Sequence, residues 1–458
     1  MESYIGAAPS SLIGQLDFSL QSTAPYVLRR RSVRMYPSSA STFASNAVNV
    51  CRLTLAASDE WLDPSTLRFV CTVNNSHEHI FLQPYSVAPS SLFSRVREMC
   101  GGTVISDIMN YARTCEAFQS KLEPSDFQWS EGVLGFAGTQ FGDWCNPTVI
   151  LNPATLLAEA KQTPQARRHP RPGMIGPNSQ YTCVQRLLTG MVKSNKLVPL
   201  RVCPLTYELT MEVPALFADP TYSQAYTLTN CYILCDLITL DSSIQNSYMQ
   251  KLLSGAALAM TIPSYITVAY PVTNAQQLAI VVQRALTRNV AVFVNFNRGG
   301  GNVTTFVYPD AATTRDMGHA VMQEQHGGHA QIAPTTPLLM DNNFSFQLQL
   351  GSKLWPEQPM SSLAECYETL RKAAGTHNQD IKSISIDRCD YVNDSFILGV
   401  DLEKNLGDPF SAENTRAGDV LRLVFNNIDL EVGINMCYVH LIGSSIVEIR
   451  ETGAYVFD

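Results

Sequence analysis

The chain closes on a series of short runs in which apolar and polar residues alternate. Phe396-Ile397-Leu398-Gly399-Val400-Asp401-Leu402 is followed by Val420-Leu421-Arg422-Leu423-Val424-Phe425, then by Met436-Cys437-Tyr438-Val439-His440-Leu441 and Ile446-Val447-Glu448-Ile449-Arg450. β-Branched residues dominate, and Gly, Asn and Asp cut the runs. A period of two sends successive side chains to opposite faces, so these runs predict consecutive antiparallel strands of a sandwich. A similar tract fills the first half, at 48–55, 67–73, 205–213 and 226–240. The expected fold class is therefore all-β, two sandwiches in tandem. No nucleophile, metal-ligand set or phosphate loop interrupts the closing strands, which points to a building block more than to an enzyme.

Size agrees with a tandem arrangement. At 458 residues the chain exceeds one ordinary domain, and two of about 200 residues each is the natural division. Charged residues make up only 16%, as expected where much surface is buried in contacts or carries uncharged polar groups. A net charge of -8 excludes an electrostatic nucleic-acid binder, and no sequence-specific nucleic-acid contact is expected. The 12 cysteines are scattered singly and fall largely in apolar runs. They read as buried free thiols in a reducing compartment. The start, Met1-Glu2-Ser3-Tyr4-Ile5-Gly6, lacks the basic and apolar regions of a signal peptide, and 232–240 is too short to span a bilayer. The expectation is a protein made in the cytoplasm without membrane insertion.

Residues 1–42 are rich in Ser, Ala and Pro and read as an extended N-terminal arm. Within it Arg29, Arg30, Arg31 and Arg34 form a basic cluster, suited to contact with polyanion or with a neighbouring subunit; a solvated segment is the plainer reading. Residues 43–241 form the first sandwich. Inside it, 90–99 and 108–118 show helical spacing around Gly101-Gly102. A long insertion at about 123–180 carries Phe127, Trp129, Phe136, Phe141 and Trp144. Such a loop is expected to serve an interaction surface, with Phe127, Trp129, Phe141 and Trp144 as subunit-interface aromatics. Residues 242–261 read as a linker helix capped by Asp241-Ser242-Ser243 and stopped near Gly255. Residues 262–458 form the second sandwich, with a helix over 363–374. Each half thus runs strands, helix, strands.

Candidate chemistry is sparse. His77-Glu78-His79 has metal-compatible spacing but follows the turn residues Asn74-Asn75-Ser76. His319, His326 and His329 lack a Cys or carboxylate to complete a ligand set. Cys231 and Cys235 do not have redox-motif spacing, and Gly299-Gly300-Gly301 lacks the Lys-Ser/Thr of a phosphate loop. Asp401 and Glu403 alternate on a strand, but a hydrolytic pair is usually drawn from distant segments. No catalytic residue, metal or cofactor is expected.

Several segments together resemble the double jelly-roll major capsid proteins of double-stranded DNA viruses, in the flavour of Polinton-like viruses, adintoviruses and the virophage and adenovirus lineage. They are 93–97 with 101–108, Leu200-Arg201-Val202-Cys203-Pro204-Leu205-Thr206-Tyr207-Glu208-Leu209, Cys235-Asp236-Leu237-Ile238-Thr239-Leu240-Asp241, Gly351-Ser352-Lys353-Leu354-Trp355-Pro356-Glu357-Gln358-Pro359-Met360 and 449–457. The resemblance spans most of 45–458. It implies two tandem eight-stranded jelly-roll β-sandwiches with short helical insertions. It also implies a homotrimer forming pseudo-hexagonal capsomers that tile an icosahedral virion shell, with neighbouring capsomers, penton and minor capsid proteins as partners. The chain is shorter than many of that family, so long exterior towers are not expected. A carbohydrate-active or carbohydrate-binding β-sandwich is the alternative, recruiting Trp129, Trp144 and the acids around Asp126. A two-domain binding or adhesion protein is a third reading.

Overall fold

The computed structural model describes residues 26–57, 59–123, 132–136, 174–218, 222–273, 277–298, 338–339, 344–377, 384, 386, 391, 395–416, 419–429 and 434–457. The first unit is built from β1 (Val27–Met35), β2 (Thr42–Phe43), β3 (Val50–Leu55), β4 (Glu60–Asn75), β5 (Phe93–Cys100), β6 (Thr103–Met109), β7 (Gln180–Gln185), β8 (Val198–Pro199), β9 (Leu205–Met211) and β10 (Tyr226–Leu240). One sheet has the order β1-β10-β4-β7, the other β3-β9-β5-β6, and every pairing is antiparallel. Counting β1 and β2 as one interrupted strand and leaving out the two-residue β8, the sheets read 1-8-3-6 and 2-7-4-5. That order is the wrapping of a jelly roll.

The second unit repeats it with β11 (Leu258–Pro271), β12 (Gln277–Val282), β13 (Asn289–Arg298), β14 (Leu338–Leu339), β15 (Ser345–Leu350), β16 (Lys353–Met360), β17 (Ile397–Asp401), β18 (Leu421–Asn426), β19 (Ile428–Asp429), β20 (Ile434–Arg450) and β21 (Gly453–Phe457). Its sheets are β11-β20-β13-β17 and β12-β18-β15-β16, again 1-8-3-6 and 2-7-4-5. The expected all-β class with two eight-stranded units is what the topology contains. Each unit carries a helix between its fifth and sixth strands. In the first it spans Tyr111–Cys115 and widens into a π-helical turn over Glu116–Lys121. In the second it spans Leu363–Ala373.

Alternation drives burial. In β15 Phe346, Leu348 and Leu350 point inward while Ser345, Gln347 and Gln349 are half-exposed; β18 buries Leu421, Leu423 and Phe425 and exposes Arg422. The core between the first pair of sheets includes Phe69, Phe93, Tyr207 and Phe217, and that between the second pair Phe293, Phe296, Phe346 and Phe425, all buried. Burying such a ring contributes roughly 1.5–3 kcal/mol.

Several elements differ from the sequence expectation. Residues 90–99 do not form one helix: a 3-10 turn covers Pro89–Leu92, and Phe93–Cys100 is β5, paired with β6 through a turn in which Gly101 and Gly102 take φ of 56° and 93°. Positive φ at both turn positions suits a two-residue hairpin. The helical spacing arose from a bulge between Glu98 and Met99, which buries Glu98, Met99 and Cys100 in succession. Part of the expected arm is strand: Val27–Met35 pairs with β10 from Val27↔Leu240 to Met35↔Ile233. The linker helix ends at Leu253, and 258–261 already belongs to β11. Strand β7 starts at Gln180, where the expected insertion ends. Not every cysteine is a free thiol, because Cys100 and Cys203 form a disulfide with Cα atoms 5.3 Å apart.

Candidate functional site

Because consecutive strands alternate in direction, the connections of each unit sort to two ends. Connections 2–3, 4–5 and 6–7 leave one end. In the first unit these cover 56–59, Gly101–Gly102 and 186–204; in the second, 283–288, Gly351–Ser352 and 402–420. Connections 110–179, 299–344 and 361–396 all leave the opposite end. Ser194 Oγ lies 3.7 Å from Met260 Sδ, and a Cβ on Gly190 would meet the Ile262 side chain at 2.6 Å. The 186–204 connection thus abuts the start of β11, and the two units stand side by side with their short-connection ends on the same side.

One part of the joint between them is the Tyr111–Lys121 helical segment. Asn110 starts it in the left-handed region, φ 52°, which Asn tolerates better than most residues. Ala117, on the first unit's helix, is buried in the second unit's core. Phe118 stacks edge-on against Phe293 at 5.1 Å and His440 at 5.5 Å, and lies 5.7 Å from Tyr265. Arg113 forms a buried ion pair with Glu212 at 3.0 Å and lies 5.9 Å from the Tyr438 ring across the joint.

A buried polar chain crosses the same joint. Asn295 Nδ2 donates to Asn297 Oδ1 at 2.8 Å, so Asn295 presents its Oδ1 to His440 Nε2, also at 2.8 Å. Nε2 is therefore the N–H of the ring and Nδ1 the acceptor. Thr267 Oγ1 donates to Nδ1 at 2.8 Å and accepts from Thr114 Oγ1 at 2.7 Å. All five side chains are buried. Burial lowers the His440 pKa to about 3, so the ring is neutral at ordinary pH.

A second buried anchor steadies the 186–204 connection. Glu98 accepts from Tyr207 Oη at 2.6 Å, Thr189 Oγ1 at 3.0 Å and the Met191 backbone N–H at 3.1 Å. Burial raises its pKa, against the opposing pull of these three donors.

The outer face of the β3-β9-β5-β6 sheet carries an ion ladder. Glu208 lies 3.7 Å from Arg52 and 3.1 Å from Arg97, and Asp107 lies 3.7 Å from Arg97 and 2.6 Å from Arg95. The matching face of the second unit presents Ala279, Val281, Gln347, Gln349 and Arg422. The two units therefore show chemically different flanks to whatever lies beside them.

The basic cluster sits on β1. Arg30 Nε donates to Asp236 at 2.7 Å and its guanidinium lies 3.4 Å from Asp63, while Arg31 holds Glu60 at 2.6 Å through two hydrogen bonds. Arg34 lies 5.1 Å from the Tyr232 ring. Arg29 is exposed on the same strand. These arginines tie β1 to β10 and β4. Phe127, Trp129, Phe141, Trp144 and Asp126 lie outside the described residues, as do His319, His326, His329 and Gly299-Gly300-Gly301. Phe136 of the same insertion is buried 5.8 Å from the Phe217 ring. His77 caps a turn: its Nδ1 accepts from the His79 and Ile80 backbone N–H groups, both at 3.1 Å. Among the described residues no group of three or more His, Cys, Asp or Glu is placed to hold a metal ion.

Sequence reasoning missed the joint. Its signal was present: His440, Asn295 and Thr267 each interrupt an apolar strand where a polar side chain must find a buried partner.

Two eight-stranded jelly rolls fused side by side define a double jelly-roll protein. No family model matches the sequence, and no curated protein does. Solved structures share the fold over nearly their whole length. The chain is 10% identical to a chain of the PBCV-1 virus capsid, covering 96% of this chain and 100% of that one with a TM-score of 0.62. A chain of the Sputnik virophage particle is 11% identical over 98% and 93%, TM-score 0.55. The Faustovirus major capsid protein is 8% identical over 96% and 93%, TM-score 0.53.

Proposed function

We propose that this chain is the major capsid protein of an icosahedral double-stranded DNA virus, structural and not catalytic. The observation that carries the reading is the tandem itself, two jelly rolls set side by side with their short-connection ends aligned and a shared buried joint. Three copies of such a pair place six similar sandwiches in a ring, a pseudo-hexagonal trimer that tiles a shell. Likeness of fold to capsid chains over nearly the full length of both partners supports it. In this reading the long connections face outward, where their length is free to vary. The short-connection end faces the interior, where β1 begins beside Arg29. Penton and minor capsid proteins would dock on the shell's edges and inner face.

The test is the state of association of the full-length chain. Analytical ultracentrifugation is expected to give a trimer, and negative-stain microscopy of concentrated protein hexagonal particles or shells. A concentration-independent monomer of 50.5 kDa would sink the proposal.

A further inference from the structure

Four thiols gather in the core of the first unit: Cys51 on β3, Cys71 on β4, Cys183 on β7 and Cys231 on β10, all buried. Cys71 and Cys183 stand directly opposite each other in the β4–β7 register. Their sulfurs are 3.4 Å apart, and Cys183 Sγ also lies 3.7 Å from the Cys71 carbonyl oxygen. Directly opposed residues of antiparallel strands have Cα atoms about 4.5–5.5 Å apart, within the span of about 4.4–6.8 Å that a disulfide bridges. Closing the bond needs the sulfurs to approach by a little over 1 Å, a side-chain rotation without backbone movement.

Access distinguishes this pair from the rest. Strand β7 ends its sheet and has six residues, paired on one side with β4. A short end strand opens locally at lower cost than a central one, and its lifting uncovers Cys71 and Cys183 together. Cys51 and Cys231 also contact each other, but they lie on opposite sheets, on β3 and on the long β10 that β1 and β4 flank. While β7 is seated, burial and mutual hydrogen bonding keep the Cys71 thiol protonated far above neutral pH, which protects it from chance modification.

We propose that Cys71 and Cys183 form a latent cross-strand lock, dithiol in the folded chain and closed to a disulfide by exchange with a small-molecule disulfide when β7 lifts. In the first step the thiolate of one cysteine attacks a sulfur of the small disulfide, giving a mixed disulfide and one released thiolate. In the second the other protein thiolate attacks the protein sulfur of that mixed disulfide and releases the second small thiolate. The two protons lost by Cys71 and Cys183 end on the two released thiols. The protein pair is oxidised by two electrons and one small disulfide is reduced to two thiols. The lock fastens the strand that follows the 110–179 connection to the sheet it terminates, and so holds the return of that connection in place in an oxidising medium.

The experiment uses the full-length chain purified in reductant, exposed to oxidised glutathione at neutral pH, alkylated in denaturant, digested and mapped by non-reducing mass spectrometry. A Cys71–Cys183 linked peptide is expected to accumulate while Cys51, Cys115, Cys231 and Cys235 remain alkylated. Unfolding in urea should slow about tenfold as the 112-residue span is closed, and recover on adding dithiothreitol. Cys183→Val should abolish both the linkage and the slowing. If that variant fails to fold, the wild-type map decides alone. Full alkylation of Cys71 and Cys183 after the β7 amides have exchanged would overturn the proposal, and so would linkage of Cys71 to Cys51 or Cys231.

Discussion

Acidification should weaken the joint between the two units through a single ring. His440 is neutral and fully buried, with its pKa lowered to about 3 by burial, whereas an unfolded histidine titrates near 6.5. Between these values the unfolded chain binds a proton that the folded chain refuses. Stability contributed by the neutral ring is therefore fully present above about pH 6.5 and is lost as pH falls toward 3. The slope is about 1.4 kcal/mol per pH unit, or roughly 3 kcal/mol between pH 7 and pH 4. His440→Gln removes the titrating group and leaves a polar side chain beside Thr267 and Asn295. Urea unfolding of wild type and variant, followed by circular dichroism at pH 7, 6, 5 and 4, isolates the effect, because carboxylates that titrate in the same window are common to both. The variant is expected to be the less stable at pH 7, and the gap should narrow by roughly 3 kcal/mol by pH 4. A gap that stays constant from pH 7 to pH 4 would refute the assignment of a buried neutral histidine.

Substitutions at two further positions test other parts of the frame. Glu98→Ala leaves Tyr207 Oη, Thr189 Oγ1 and the Met191 N–H without their acceptor and should cost about 3 kcal/mol, with the 186–194 segment becoming protease-sensitive; Glu98→Gln, which keeps one acceptor oxygen, should be milder, and equal losses in the two variants would contradict the role given to these hydrogen bonds. Ser362 caps the Leu363–Ala373 helix by accepting from the Glu365 N–H at 3.3 Å, while Glu365 accepts from the Ser361 N–H at 2.7 Å, so Ser362→Ala should lower stability by about 1 kcal/mol, read as a shift in thermal midpoint.

Where each strand keeps one wet face, the sequence reports it directly: Phe346, Leu348 and Leu350, or Leu421, Leu423 and Phe425, announce strands by alternation alone. The period fails where geometry departs from it. Strand β5 looked helical because a bulge at Glu98–Met99 puts three consecutive residues inside, and Glu98 is a carboxylate whose partners lie 91–109 positions away. Strand β1 hid in the arm because nearly all its side chains are exposed; what fixes it is backbone pairing and the bonds of Arg30 and Arg31 to acids on β10 and β4. β7, Gln-Tyr-Thr-Cys-Val-Gln, is mixed rather than alternating. The polar members of the joint stand out singly in apolar strands, but Thr114, Thr267, Asn295 and His440 acquire meaning as a group only once β11, β13 and β20 lie together beneath the first unit's helix.

The 1-8-3-6 strand order also sets a timetable for biosynthesis. Arg30 on β1 bonds Asp236 on β10, 206 residues later, and β10 is the strand against which both β1 and β4 pair. At roughly 5–20 residues per second, β1 waits on the order of 10–40 s after its own synthesis before the strand it pairs with exists. The second unit repeats the delay, since Leu258 pairs with Ile449, nine residues before the last residue of the sequence. Neither sandwich can close its first sheet from local contacts, and contacts of such separation form slowly. Until β10, and later β20, emerges, the first sheet of each unit has strands whose unpaired edges invite one another and those of other nascent copies. Chaperone capacity at the ribosome, more than the stability of the finished fold, would then govern how much usable protein a cell can make.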